Sequence, residues 1–99
     1  MNFNQRVWNS IKKIPKEKVS TYKLIAKHIK NPEASRAVGN ACNKNPFAPK
    51  TPCHRVVKSS GEVGGFAKGT KQKISLLKKE KIEIKNGKIV DFEKKLFKF

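Results

Sequence analysis

A cysteine followed directly by a histidine and an arginine, Cys53-His54-Arg55 in the stretch TPCHRVV, carries the most evident chemistry in this 99-residue chain. An imidazole beside a thiol can take its proton, and the two neighbours favour the thiolate, which is the nucleophilic form. The second cysteine, Cys42, lies 11 positions earlier. That spacing offers neither a C-x-x-C metal knuckle nor a disulfide framework, so Cys53 is read as a free thiol and no metal is expected. Of 24 basic residues only Arg6, Arg36 and Arg55 are arginine, the other 21 being lysine. Where lysine serves as the general cation, an arginine marks a place that needs a planar, multi-donor head. Arg36 also starts a row with Asn40 and Asn43 at i, i+4 and i+7, three hydrogen-bonding side chains on one helical face. The row suits an external partner and suits plain solvation equally well.

The elements that must position these residues follow from periodicity. Phe3, Val7, Trp8, Ile11 and Ile14 recur at helical spacing until Pro15 closes the pattern, which makes Trp8 a core residue. Ser20 or Thr21 can cap a second helix, TYKLIAKHIK, whose Leu24, Ile25, His28 and Ile29 share a face, with His28 structural. Asn31-Pro32 breaks the chain, and ASRAVGNACNK predicts a third helix with Ala34, Ala37, Val38, Ala41 and Cys42 inward, Cys42 as a small buried hydrophobe. Two short helices across a tight turn predict a helix-turn-helix. Gly39 inside the third helix costs about 1 kcal/mol relative to alanine, which a close backbone approach would explain. With Ala37 and Ala41 it gives this helix a slim profile, fit for a narrow groove or for tight packing.

Three prolines in NPFAPKTP predict a stiff extended connection that delivers Cys53 to a fixed place. HRVV followed by SSGEVGGF predicts a short strand with a hairpin or wing. Ile74, Leu76 and Leu77 restore a helical period, Asn86-Gly87 signals a type I′ hairpin, and DFEKKLFKF reads as a short capped helix bringing Phe92, Leu96 and Phe97 to the core. The fold class expected is mainly α with short β elements: a winged helix-turn-helix, a three-helical DNA-binding bundle, plus small β-hairpins. Residues 1–99 are read as one domain.

The formal charge of +17 suits a polyanion, with nucleic acid the leading class of partner. No apolar run reaches the roughly 20 residues of a membrane span, and the N-terminus lacks a signal-peptide apolar region. A cytoplasmic protein without membrane contact is expected.

VWNSIKKIP, STYKLIA, SRAVGNACNKNP, PCHRVV, SSGEVGGF and LLKKE, in this order from about Phe3 to Glu80, resemble the catalytic domain of the O6-alkylguanine-DNA alkyltransferases, the methylated-DNA–protein-cysteine methyltransferases. Residues 81–99 are read as an extension beyond the match. The resemblance implies a helix-turn-helix used in the minor groove of duplex DNA, rotation of a damaged guanine out of the stack, and irreversible transfer of its O6-alkyl group to the protein. It makes Cys53 the alkyl acceptor, His54 the base acting through a bridging water, and Glu80 the group orienting His54. It makes Asn45 a hinge residue stiffening the active-site turn, beside the ordinary reading of an Asn-Pro turn. Tyr22 becomes the residue that helps rotate the nucleotide and protonates the departing guanine, and Arg36 the finger filling the vacated stack. Arg36, Tyr22, Ala37, Gly39, Asn40 and Ala41 form the implied DNA surface. Cys53, Val56, Phe66 and Ala67 form the implied pocket, the carbonyls of Cys53 and Val56 reading the guanine edge and an amide near Ala67 facing its O6. Arg55 is read as a backbone anchor.

The chain departs from the family pattern at Phe66, where many relatives have tyrosine, at Lys68 in place of a glycine, and at Glu17 in place of another. It starts at the catalytic domain, without the N-terminal domain common in the family. Double-stranded DNA containing O6-alkylguanine is the implied partner, the protein acting as a monomer with no cofactor. A non-catalytic alkyltransferase-like sensor of alkylated DNA is the alternative, although those relatives have lost the cysteine from this motif. A third reading is a basic helix-turn-helix binder indifferent to damage.

Overall fold

The computed structural model describes residues 2–47, 50–65 and 69–99. Helix α1 (Phe3–Ile11) starts at a reciprocal cap, Asn2 Oδ1 accepting from the Gln5 amide and Gln5 Oε1 from the Asn2 amide. Its Val7 and Ile11, with Ile14 beyond its end, are fully buried. Burial of side chains of this size stabilises by roughly 1.5–3 kcal/mol each. Trp8 is only half-buried, because its indole Nε1–H reaches across to donate to the Ala41 carbonyl at 2.9 Å. It pins α1 to the third helix.

Strand β1 (Ser20–Thr21) runs straight into helix α2 (Tyr22–His28), whose cap is Thr21, the hydroxyl accepting from the Leu24 amide at 3.0 Å. Ile25 and Ala26 face the core. His28 does not: it is exposed and stacks on the Phe99 ring, correcting the expectation of a histidine on a buried face. The helix closes with Lys30 in the left-handed region and Asn31 N–H donating to Ala26 O at 2.9 Å. Helix α3 (Ser35–Asn43) follows, packing on both α1 and α2. Val38, Ala41 and Cys42 point inward as expected, whereas Ala37 is exposed, one step too far around the helix.

The described ends of the proline-rich connection lie close together, Thr51 N–H donating to Phe47 O at 3.1 Å, which does not fit the expected extended run. A 3₁₀ turn (Cys53–Arg55) then leads into strand β2 (Val56–Val57), which pairs in parallel with β1, Ser20 opposite Val56 and Thr21 opposite Val57. The pairing sets Cys53 beside the start of α2. Helix α4 (Thr70–Lys79) packs on the 3₁₀ turn. Strands β3 (Ile84–Lys85) and β4 (Lys88–Ile89) form the hairpin, with Asn86 and Gly87 both at positive φ, 52° and 77°, as a type I′ turn requires. This hairpin holds the wing: Val63 N–H donates to Gly87 O and Ile89 N–H to Gly61 O, each at 2.9 Å. Helix α5 (Phe92–Lys95) begins at a left-handed Asp91 that makes no side-chain cap, so the expected capped start is replaced by a backbone turn. Phe92 joins a second core with Val19, Val57, Val63 and Leu77, while Phe97 packs on the first.

Candidate active site

Cys53 and His54 come from the 3₁₀ turn, Glu80 from the end of α4, Tyr22 from the start of α2 and Asn45 from the loop after α3. Cys53 opens the 3₁₀ turn, buried, with its amide donating to Thr51 O at 2.8 Å. Asn45 stitches that turn to the end of α3. Its Nδ2 donates to Thr51 O at 2.8 Å and to Cys53 Sγ at 3.1 Å, and its Oδ1 accepts from the Phe47 amide at 2.9 Å. The thiol thus has a fixed donor aimed at it. Cys42, inward from α3, belongs to the same buried cluster as Cys53. The neighbouring Cys42 thiol, the Asn45 amide and the Lys73 charge bring the Cys53 pKa below its ordinary value against the opposing effect of burial.

His54 and Arg55 meet one carboxylate. His54 Nε2 lies 3.1 Å from Glu80 Oε1. An ionised carboxylate only accepts, so Nε2 carries the proton and Nδ1 keeps its lone pair. Nδ1 is buried with no protein partner among the described residues. Burial lowers the His54 pKa against the pull of Glu80, so the ring rests neutral, in the tautomer a base requires. Arg55 grips the same carboxylate as a fork, Nε to Oε1 at 2.8 Å and Nη2 to Oε2 at 2.5 Å, while its Nη1 donates to Ile14 O at 2.8 Å. Burial pushes Glu80 up, but Arg55 and His54 outweigh it and hold the carboxyl below its usual range. Arg55 therefore anchors backbone as expected and also fixes Glu80, a contact the sequence reading lacked. A cleft of about 510 Å³ is lined by His54, Arg55 and Glu80 with Lys16, Lys79 and Lys81.

Lys73 is the residue sequence reasoning missed. It is fully buried in α4, its Nζ donating to Val56 O at 2.7 Å, Gly65 O at 3.1 Å and the Tyr22 hydroxyl at 3.5 Å. Desolvation brings its pKa down to about 8. A signal was present: Lys73, Leu77 and Glu80 fall at i, i+4 and i+7, one face of one helix. Tyr22, first residue of α2, lies between this ammonium and Gly39. Burial, with the two cysteines, raises its pKa far above the ordinary phenol, so it remains a proton donor at any physiological pH.

On the outer side of α3, Arg36, Ala37 and Asn40 are exposed and Gly39 is half-buried. Ala41 is fully buried, with its carbonyl taken by Trp8, which removes its side chain from the expected DNA surface. Val56 is buried and its carbonyl already accepts from Lys73, while the Cys53 carbonyl accepts from the Val56 amide. Each retains a second lone pair for a ligand. Phe66, Ala67 and Lys68 lie outside the described residues. Among the described residues no group of three His, Cys, Asp or Glu side chains is arranged to hold a metal ion, and no helix is long and apolar enough to cross a membrane.

The family model for the 6-O-methylguanine DNA methyltransferase, DNA binding domain, matches residues 2–82. A methylated-DNA–protein-cysteine methyltransferase of Methanosarcina acetivorans is 51% identical over 78 residues, 79% of this chain and 50% of the relative. The chain thus spans about half the length of the curated relatives it matches. The crystal structure of Mycobacterium tuberculosis OGT in complex with DNA superposes with a TM-score of 0.79 at 43% identity, covering 82% of this chain and 50% of that one. Schizosaccharomyces pombe Atl1, crystallised with damaged DNA containing O6-carboxymethylguanine, superposes with a TM-score of 0.87 at 28% identity, over 98% of this chain and 95% of that one.

Proposed function

Because the chain belongs to the 6-O-methylguanine DNA methyltransferase family, we propose that it repairs duplex DNA directly, moving the alkyl group of an O6-alkylguanine onto Cys53 in one irreversible turnover. The observation that carries this reading is the Cys53 sulfur, with an amide donor at 3.1 Å, next to an imidazole whose free nitrogen faces no protein partner and whose other nitrogen is held by Glu80.

His54 Nδ1 takes the Cys53 proton through a bridging water, and the positive ring that results is stabilised by Glu80, itself held by the Arg55 fork. The thiolate attacks the alkyl carbon; a C–S bond forms as the C–O bond breaks. The electron pair stays on the guanine, and the Tyr22 hydroxyl gives it a proton. Lys73 then donates to the phenolate oxygen, which offsets the cost of a buried anion. The thioether is not hydrolysed, so each chain reacts once. Arg36 projects from exposed α3 to replace the everted base, and the slim flank at Ala37 and Gly39 lets α3 lie in the minor groove.

The likeness to Atl1 along nearly the whole chain favours a second reading, a sensor that binds alkylated bases without reacting. Intact-mass analysis after mixing with duplex containing O6-methylguanine separates the two. One added methyl, mapped to Cys53 and absent from C53A, is expected. A native protein that binds the damaged duplex and gains no mass would leave the sensor reading in its place.

A further inference from the structure

Alkyl transfer leaves one cavity of the molecule without a role. About 240 Å³ in volume, it is lined by Gln5, Trp8, Asn9 and Lys12 from α1 and its end, and by Phe47 and Thr51 from the connection that leads to Cys53. Its aromatic walls are fixed. The Trp8 indole is tied through its N–H to the Ala41 carbonyl, and the Phe47 ring stands edge-on to it, centroids 6.1 Å apart and planes at 84°. Phe47 is 57% exposed, so much of its ring is open to a ligand. Thr51 supplies a polar signal of a different kind: it is 1% exposed, and its hydroxyl has no hydrogen-bond partner among the described residues. A buried hydroxyl left unpaired is destabilising, and the cavity that Thr51 lines is where a partner can reach it. Asn45 sets both Phe47 and Thr51 in place, its Oδ1 accepting from the Phe47 amide and its Nδ2 donating to Thr51 O. The cavity is therefore built before any ligand arrives.

The geometry points to a binding site for one unpaired nucleobase and its phosphate, formed by Trp8, Phe47, Thr51 and Lys12 and sharing no residue with the pocket assigned to the everted guanine. A base offers flat faces for the two rings, and stacking of this kind is indifferent to which base is present. Its edge carries donors and acceptors, and the Thr51 hydroxyl can serve either by rotating. Gln5 and Asn9 add amides, the groups that read base edges; Gln5 Oε1 is already taken by the Asn2 amide, so Gln5 presents its Nε2 donors. Lys12, exposed beside the rings, is placed for a phosphate, and the formal charge of +17 concentrates nucleotides at this surface. The cavity is smaller than those that hold drug-sized ligands, which suits a single base and excludes a base pair. An apolar side chain from another protein would cover the rings but leave the hydroxyl unpaired and Lys12 unused. The base can belong to a free nucleoside monophosphate or to a single strand, and the test separates these sources.

Trp8 is the only tryptophan in the chain, so its fluorescence reports on this cavity directly. The full chain is titrated with dAMP, with a short single-stranded oligodeoxyadenylate, and with an abasic oligonucleotide of the same length and charge. Quenching by dAMP assigns the site to free nucleotides. Quenching by the oligodeoxyadenylate alone, beyond that of the abasic strand, assigns it to single-stranded DNA. F47A is expected to weaken whichever probe binds by about tenfold, the loss of one stacked base, and T51V by about fivefold, the loss of one hydrogen bond. K12A is expected to remove the advantage of dAMP over deoxyadenosine. T51V exchanges an unpaired hydroxyl for a methyl group, so it should melt no lower than wild type while binding more weakly, a pairing that loss of a purely structural contact does not give. The inference is overturned if neither dAMP nor the oligodeoxyadenylate quenches Trp8 beyond the abasic control, or if F47A, folded by circular dichroism, binds as tightly as wild type. None of these readouts requires Cys53 to react, so the outcome is separable from the fate of the repair reading.

Discussion

Glu80 shows how one side chain couples several others. It accepts from His54 and, as a fork, from Arg55, and so fixes the imidazole tautomer from one side while a cation holds it from the other. Replacing Glu80 with glutamine keeps the shape but puts a donor where only acceptors fit, leaving His54 free to turn. Transfer to Cys53 is expected to slow by about 10²–10⁴-fold, the range of a lost general base, while affinity for damaged duplex changes little; single-turnover kinetics beside a binding titration would show the split. Acidity follows from the same groups. The folded His54 pKa lies below its ordinary value of 6.5, so the unfolded chain binds the extra proton first as pH falls. The stability contributed by neutral His54 is complete above 6.5 and is lost as pH drops toward the folded value. Glu80, also depressed, adds a second loss that starts near 4.5. Melting temperature should therefore fall in two steps on acidification, with H54Q removing the first and E80Q the second. A profile flat from pH 8 to 5 in wild type would contradict the assignment. At this scale the adjacent Cys53 and His54 are legible because their chemistry sits side by side. Glu80 is not, since without the family resemblance a carboxylate at a helix end reads as surface, and Lys73 is hidden among 21 lysines, marked only by sharing a helix face with Leu77 and Glu80.

Elements were legible in proportion to how local their causes are. The cap of α2 and the Asn86-Gly87 turn are written in residues close in sequence, and the structure keeps them, whereas the Asn2–Gln5 cap of α1 went unread. The β1–β2 pair joins Ser20 to Val56 across most of the active site, and no local pattern announces a two-residue parallel contact. The proline-rich connection misled for a related reason: proline fixes φ but not ψ, so the same residues serve a turn as well as an extended run. Gly39 permits a direct test at this level. A Cβ added there would meet the Tyr22 ring at 3.9 Å, ordinary contact distance, so nothing inside the protein demands glycine. Alanine should stabilise α3 by about 1 kcal/mol. If the glycine instead keeps the helix slim for a groove, G39A should melt higher and yet bind duplex about tenfold more weakly, a loss of about 1.4 kcal/mol. Calorimetry and a binding isotherm on the same sample check both signs, and unchanged affinity would move the DNA contact off this face.

Over the whole molecule, the site is assembled where two cores meet. The first, between α1, α2 and α3, contains Cys42, Cys53 and Val56; the second, under the wing and hairpin, contains Val57 and Leu77. The last residues tie the two together, Phe97 N–H donating to Val19 O at 2.7 Å and Ser20 Oγ to Phe97 O at 2.9 Å. Cys53 is 2% exposed, so its side chain is part of the packing and not an appendage to it. A methyl group added to Sγ must displace something, and its hydrogen-bond partner is the Asn45 amide, which also holds Thr51. Overpacking by one carbon in a core costs about 1–3 kcal/mol. For a chain of this size each kcal/mol shifts the melting temperature by about 4–8 °C. Protein methylated by damaged DNA should therefore melt at least about 4 °C lower than the unreacted chain. Coincident melting curves before and after reaction would mean that the turn has room to spare, and that Cys53 is not held as tightly as its burial and the Asn45 donor require.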